Sequence, residues 1–325
     1  MLEVNNTNIR TWSKLGQRGA FFGVAIFDIV ESYDNTVVLS ADLAYLTGLE
    51  RFINKHPKKF INTGIAEQNM LGISAGLAQE GKIVFSTTYA TFITMRSCEQ
   101  MRHYMGYMKS NIKLVGTGAG LIMTYSGNTH YTIEDLSIVR AIPNITILSP
   151  ADATESIKVA QASAKFNGPI YIRLTGALNN PIVYKEDYDF EIGKAVTLVD
   201  EGEITIFATG TMVYNSLEAA KLLLEDNIKA RVVNIHTIKP IDVDAISKAC
   251  NESKLLVTVE EHSKIGGLGG SIAEQISLKD THPPLLRLGI DDTFRHAGDH
   301  NFLLGENELL PAQIANNIKN RYISS

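Results

Sequence analysis

The sequence predicts an α/β protein made of two doubly wound domains, and three observations carry that expectation. Short apolar runs alternate with helical patterns along nearly the whole chain, the pattern of parallel sheets covered by helices. The chain has 325 residues, more than one hydrophobic core usually serves. An irregular stretch rich in Asn, Pro and Tyr, from about Thr175 to Asp189, splits the alternation into two blocks. The expected division is a first domain at 1–176, a linker at 177–190 and a second domain at 191–325.

In chain order, residues 18–31 read as a helix and Asn35–Leu39 as a buried strand. Phe60 and Ile61 make a short strand, Gly64 turns the chain, and the segment behind it, rich in small residues and Leu, reads as a buried helix. Lys82–Ser86 is a strand, and a helix follows over Thr91–Tyr107. Ile112–Gly116 is a strand that ends in the glycine-rich GTGAG. Ile145–Leu148 is a strand; in the SPADATES that follows, Ser149 or Asp152 could cap a helix ending near Phe166. Pro169–Leu174 closes the first block. In the second block Thr205–Ala208, Ala230–Ile235, Leu255–Glu260 and Leu285–Gly289 read as strands. Tyr214–Glu225 and Val243–Ala249 read as helices, and Gly266–Ser277 as a glycine turn plus helix.

Composition narrows the function. Hydrophobic residues are 45% and charged residues 20%, an ordinary globular balance. The net charge of −5, with no long basic run, gives no nucleic-acid surface. No window of roughly 18 apolar residues suits a membrane span. The opening MLEVNNTNIRTWSK has no signal-peptide core. Cys98 and Cys250 are far apart and form no metal-type pair, so the expectation is a reduced, cytoplasmic protein. GTGAG (116–120) and GGLGG (266–270) fit neither GxGxxG nor GxxxxGK[ST], and read as tight turns.

Several residues could carry chemistry. Glu67 stands at a strand-to-helix junction in apolar surroundings, where desolvation raises a carboxyl pKa and a proton can be held or passed near neutral pH. It reads equally as a first-turn acid complementing the helix dipole. Asp42, in LSADL, follows a buried strand, where α/β folds place ligands, or it is a helix N-cap. Tyr89 and Phe92 are three apart and share a side, for core packing or for stacking. His130 lies in the polar loop SGNTHYTIED, where its imidazole could shuttle a proton or simply face solvent. Arg173 ends the last strand of the first block and could pair with an acid at the domain interface.

The segment INTGIAEQNMLGISAGLAQEG, residues 61–81, resembles the cofactor-activating segment of thiamine-diphosphate enzymes of the transketolase group. The likeness runs from about Arg18 to Gly289 and is strongest in 61–81, 126–175 and 255–271. It implies a pyrimidine-binding domain followed by a transketolase C-terminal-like domain. By the same resemblance Glu67 hydrogen-bonds and activates the cofactor's aminopyrimidine, Asp42 lies close to the cofactor, and Tyr89 and Phe92 pack on its ring. A third aromatic found in some members is replaced by Met95. His130, at a THQ-like position, faces the substrate carbonyl, and Arg173 and Arg18 (in GQRGAFFG) take the substrate phosphate. His236 and His262 have structural roles.

The sequence also departs from the family. Where the family has GEDGPTHQ this chain has TYSGNTHY, so Ser126 replaces an Asp that reads a hydroxyl beside the acceptor carbonyl. Gly118 and Leu46 stand where the family has a His and a Ser. No GDG occurs; in the family GDG and a downstream Asn hold the Mg²⁺ that clamps the diphosphate. The resemblance therefore implies half of a split transketolase. A separate N-terminal subunit would carry the diphosphate and Mg²⁺ in an α₂β₂ assembly that moves a two-carbon ketol unit from a ketose phosphate to an aldehyde. The alternatives are a carboligase that uses an α-keto acid such as pyruvate, and a non-catalytic regulatory subunit.

Overall fold

A computed structural model describes residues 2–324. The apolar and β-branched runs form two sheets. In the first, β1 (Thr36–Ser40), β2 (Phe60–Asn62), β3 (Ile83–Tyr89), β4 (Ile112–Thr117), β5 (Thr146–Leu148) and β6 (Ile170–Leu174) run parallel, in the order β5-β6-β4-β3-β1-β2. Strands β1, β3, β4 and β6 are buried from end to end, because helices cover both faces of a parallel sheet. The chain leaves β1 for β2 on one side and returns to β3 on the other. The carboxyl ends of these strands thus flank a crevice at the reversal, where such sheets bind ligands.

The second sheet contains β7 (Val196–Val199), β8 (Ile204–Ala208), β9 (Ala230–Asn234), β11 (Leu255–Ser263) and β12 (Leu285–Ile290), in the order β12-β11-β8-β9-β7 with only β7 antiparallel. Strand β10 (Thr237–Lys239) leaves this sheet and pairs antiparallel with β5, Thr237 opposite Leu148 and Lys239 opposite Ile147. One apolar cluster also spans both units, with Ile147 and Tyr171 packed in the same core as Phe207, Ile238, Leu256 and Leu268. Among the described residues no helix or strand lies between β6 and β7. The crossing of β10 means that the two domains share one edge.

Some expected elements differ in extent. The first helix begins at Asn6, capped by the Asn5 side chain, kinks at Gly16 and continues through a wide turn at Phe21–Ala25 to Ser32. The helix expected over Thr91–Tyr107 breaks at Ser97, where φ is −114° and ψ is 28°. The helix Glu67–Gln79 buries one face only. Asp152, not Ser149, caps Ala153–Lys165, accepting from the Glu155 N–H at 2.8 Å. Among the described residues no helix is long and apolar enough to cross a membrane.

Candidate functional site

Glu67, Tyr89, Phe92 and His130 come together beyond the carboxyl ends of β2, β3 and β4, with Arg96 joining Glu67 to the rings. Glu67 opens its helix and is 6% exposed. Its Oε1 accepts from Arg96 Nη1 at 2.9 Å, and Oε2 takes no hydrogen bond among the described residues. The surroundings are therefore not wholly apolar: a guanidinium that sequence reading did not single out sits against the acid. Arg96 also lies 4.1 Å from the centroid of the Phe92 ring, a cation–π contact.

Tyr89 is the last residue of β3, and Phe92 begins the next helix. Their ring centroids are 5.6 Å apart, and Phe92 lies 5.5 Å and Tyr89 6.3 Å from the His130 ring. Burial raises the Tyr89 hydroxyl above its ordinary pKa. His130 Nδ1 shares a hydrogen bond of 2.8 Å with Thr129 Oγ1. Asp42 has φ of 60° and is not a helix cap. It forms a reciprocal pair with Asn62 across β1 and β2: Asn62 Nδ2 donates to Asp42 Oδ1 at 2.9 Å, and Asp42 N donates to Asn62 Oδ1 at 3.2 Å.

The loop that carries Ser126 and His130 is held from the second domain. Leu121 N donates to Glu261 Oε1 at 2.6 Å, and Asn128 and Tyr131 both donate to the Arg295 carbonyl, at 2.9 and 3.0 Å. Ser126 is exposed; its N–H donates to the Met123 carbonyl at 2.9 Å and its carbonyl accepts from Thr129 Oγ1 at 3.3 Å, while its hydroxyl takes no hydrogen bond among the described residues. Gly118 has φ of +69°, and a Cβ there would stand 2.8 Å from the Met123 side chain, so a side chain at this position would be strained and would displace Met123. Leu46 is exposed. The turn at GGLGG is filled by the chain's own carboxylate: Glu260 accepts from Leu268 N at 2.6 Å and Gly269 N at 2.8 Å, taking the place an external anion would need.

The two arginines part company. Arg173 does not face a substrate; it is 1% exposed and donates from Nε to Asp135 Oδ2 at 2.8 Å and from Nη2 to the Glu261 carbonyl at 2.9 Å. The expectation that it takes the substrate phosphate is corrected: a buried guanidinium spent on a buried acid is a domain clamp. Tyr171 donates to the same Asp135 oxygen at 2.8 Å. His262 completes the cluster in its neutral form, donating from Nδ1 to the Ser263 carbonyl and accepting at Nε2 from Leu136 N–H. Burial pushes its pKa down to about 4. Arg18 lies in a cleft of about 290 Å³ with Met123, Leu174 and Leu178. It is placed there by Gln17, whose Oε1 accepts from Thr175 and Gly176 N–H and whose Nε2 donates to the Pro150 carbonyl.

Comparison with known proteins agrees with this geometry. Residues 18–180 match the model of the transketolase pyrimidine binding domain, and residues 193–306 that of the transketolase C-terminal domain. The chain is 41% identical to a putative transketolase C-terminal section of Methanocaldococcus jannaschii, over 87% of this chain and 89% of that protein. It is 35% identical to one subunit of an apulose-4-phosphate transketolase of Phocaeicola vulgatus, over 86% of this chain and 89% of that one. Among solved structures it superposes on a split-gene transketolase, described as an inactive beta4 tetramer, with a TM-score of 0.85 at 36% identity, covering 94% of this chain and 97% of that one.

Proposed function

Because this chain belongs to the transketolase family and comprises its pyrimidine-binding and C-terminal domains, we propose that it is one subunit of a split, thiamine-diphosphate-dependent transketolase. The carrying observation is the Glu67 carboxylate, with one oxygen free of hydrogen bonds among the described residues, joined through Arg96 to the Phe92 ring, which packs with Tyr89 and His130. That set fits one flat aminopyrimidine: an acceptor for a ring N–H and two aromatic faces to pack on. Thiamine diphosphate, when bound, supplies the carbon that carries the two-carbon ketol unit. Glu67 holds a proton at the pyrimidine, Tyr89 and Phe92 orient and dry it, and Asp42, fixed by Asn62, borders it. His130 holds or passes a proton at the substrate carbonyl oxygen.

A partner subunit that brings the diphosphate and Mg²⁺ completes the reading, with α₂β₂ as the assembly and the cytoplasm as its location. The free thiols of Cys98 and Cys250 suit that compartment. A ketose phosphate donor and an aldehyde acceptor are the substrates the resemblance supplies. Relatives named as transketolase subunits favour ketol transfer over the pyruvate-using and regulatory alternatives. The test uses this chain co-purified with a chain bearing GDG and a downstream Asn, with thiamine diphosphate, Mg²⁺, hydroxypyruvate as ketol donor and an aldehyde. Turnover is expected, and Glu67→Ala should lower kcat by roughly 100-fold or more without loss of thermal stability. A near-wild-type rate for that variant would refute the assignment.

A further inference from the structure

The cleft that holds Arg18 has an unusual wall. Leu15, Ile122, Met123, Leu174 and Leu178 line it together with glycine and alanine, and Arg18 is the single lining residue with a charged side chain. The cleft adjoins the ring cluster, since a Cβ on its Gly118 would stand 3.7 Å from Tyr89 Cδ1. We propose that this cleft receives the distal end of the substrate, and that this end carries one negative charge, a carboxylate or sulfonate, in preference to a phosphate monoester. The inference rests on the transketolase reading above and revises its substrate, setting another anion in place of the phosphate that the resemblance supplies.

Arg18 has no ion-pair or hydrogen-bond partner among the described residues, so its planar fork is free to donate two parallel bonds to two oxygens of one anion. Burial lowers its pKa, and a single anion beside it would offset that loss of solvation. A phosphate monoester carries about 1.5 to 2 negative charges at pH 7 and three acceptor oxygens. One guanidinium would leave part of that charge and at least one oxygen against hydrocarbon, which is costly. No second cation is within the lining to share it. Arg173 is spent on Asp135, and Gly118 brings no side chain that could help.

The experiment uses the assembled enzyme with hydroxypyruvate as donor and four aldehyde acceptors of matched length, ending in a carboxylate, a sulfonate, a phosphate or a neutral hydroxyl. The carboxylate or the sulfonate should exceed both the phosphate and the neutral acceptor in kcat/KM by about tenfold or more. Which of the two leads identifies the natural end group. Arg18→Gln should bring the ratio of the preferred anion to the neutral acceptor close to one, with cofactor binding by circular dichroism and melting retained. Preference for the phosphate acceptor, or an unchanged ratio in Arg18→Gln, overturns the proposal while hydroxypyruvate turnover keeps the transketolase reading intact. Failure to consume hydroxypyruvate with any acceptor overturns both.

Discussion

Arg18 and Arg173 share a chemistry and have opposite uses, and burial decides between them. Arg173 sits at 1% exposure against Asp135 and the Glu261 carbonyl. Burial lowers the pKa of such a cation, but the Asp135 charge and hydrogen bond outweigh it and raise it overall. Arg173→Ala strands a buried carboxylate and should cost about 3–5 kcal/mol. The double variant Arg173→Met, Asp135→Leu should recover most of that in thermal melts; a single variant that melts like wild type would remove the clamp. His236 offers a second test. It is fully buried, with Nε2 unpartnered and its ring 4.3 Å from the Phe190 centroid. Burial holds its pKa at about 4, against 6.5 for the free side chain. Above pH 6.5 both folded and unfolded chains leave it neutral. As pH falls from 6.5 towards 4 the unfolded chain binds the proton first, so stability drops, by about 2 kcal/mol at pH 5. His236→Gln lacks that loss, so its deficit against wild type in urea unfolding should shrink by about 2 kcal/mol between pH 7.5 and pH 5.

At the scale of elements, the loop from Gly118 to His130 is the one the proposed chemistry depends on, and it is fastened to Glu261. Burial pushes that carboxyl up, but His300, the Leu121 N–H and Arg173 together bring it below its ordinary value. Gly120 has φ of +72°, and a Cβ there would lie 2.5 Å from Glu261 Oε1. Gly120→Ala should destabilise the chain by about 1–3 kcal/mol and depress turnover of the assembled enzyme more than its cofactor affinity, by displacing His130. Calorimetry and kinetics on the same preparation would separate the two effects. The parallel strands and most helices of both domains were legible because buried parallel strands read as continuous apolar runs, whereas the half-buried antiparallel β7 was not read. The Glu67 junction was legible because a lone acid between a glycine turn and a small-residue helix is unusual. Strand β10 was not legible, since Thr237–Lys239 is three residues long and its partner lies about ninety residues away. For Arg173 the pairing with an interface acid was one of two readings open in the sequence; what decides for it, Asp135 and the Glu261 carbonyl, only tertiary structure brings near. Arg96 gave no signal beyond a basic residue at the end of an aromatic segment.

At the scale of the molecule, on the proposed reading the crevice would offer groups for a pyrimidine and for the substrate's carbonyl and far end, and its own acidic and aromatic set would be half of what the cofactor needs. The isolated chain should therefore bind thiamine diphosphate at least about 100-fold more weakly than the complex with the partner subunit, as measured by calorimetry at fixed Mg²⁺. Equal affinities would mean that this chain forms the whole site. The sharing of β10 between domains has a consequence for anyone who wishes to move the first domain elsewhere. A fragment cut between β6 and β7 would bare the main chain of Thr146–Leu148 and remove Phe207, Ile238 and Leu256 from the cluster around Tyr171. Its open border would recruit other copies and drive insoluble assembly. The smallest transplantable unit thus reaches past Lys239, and hybrids that splice a foreign second half at residue 180 would inherit a torn seam.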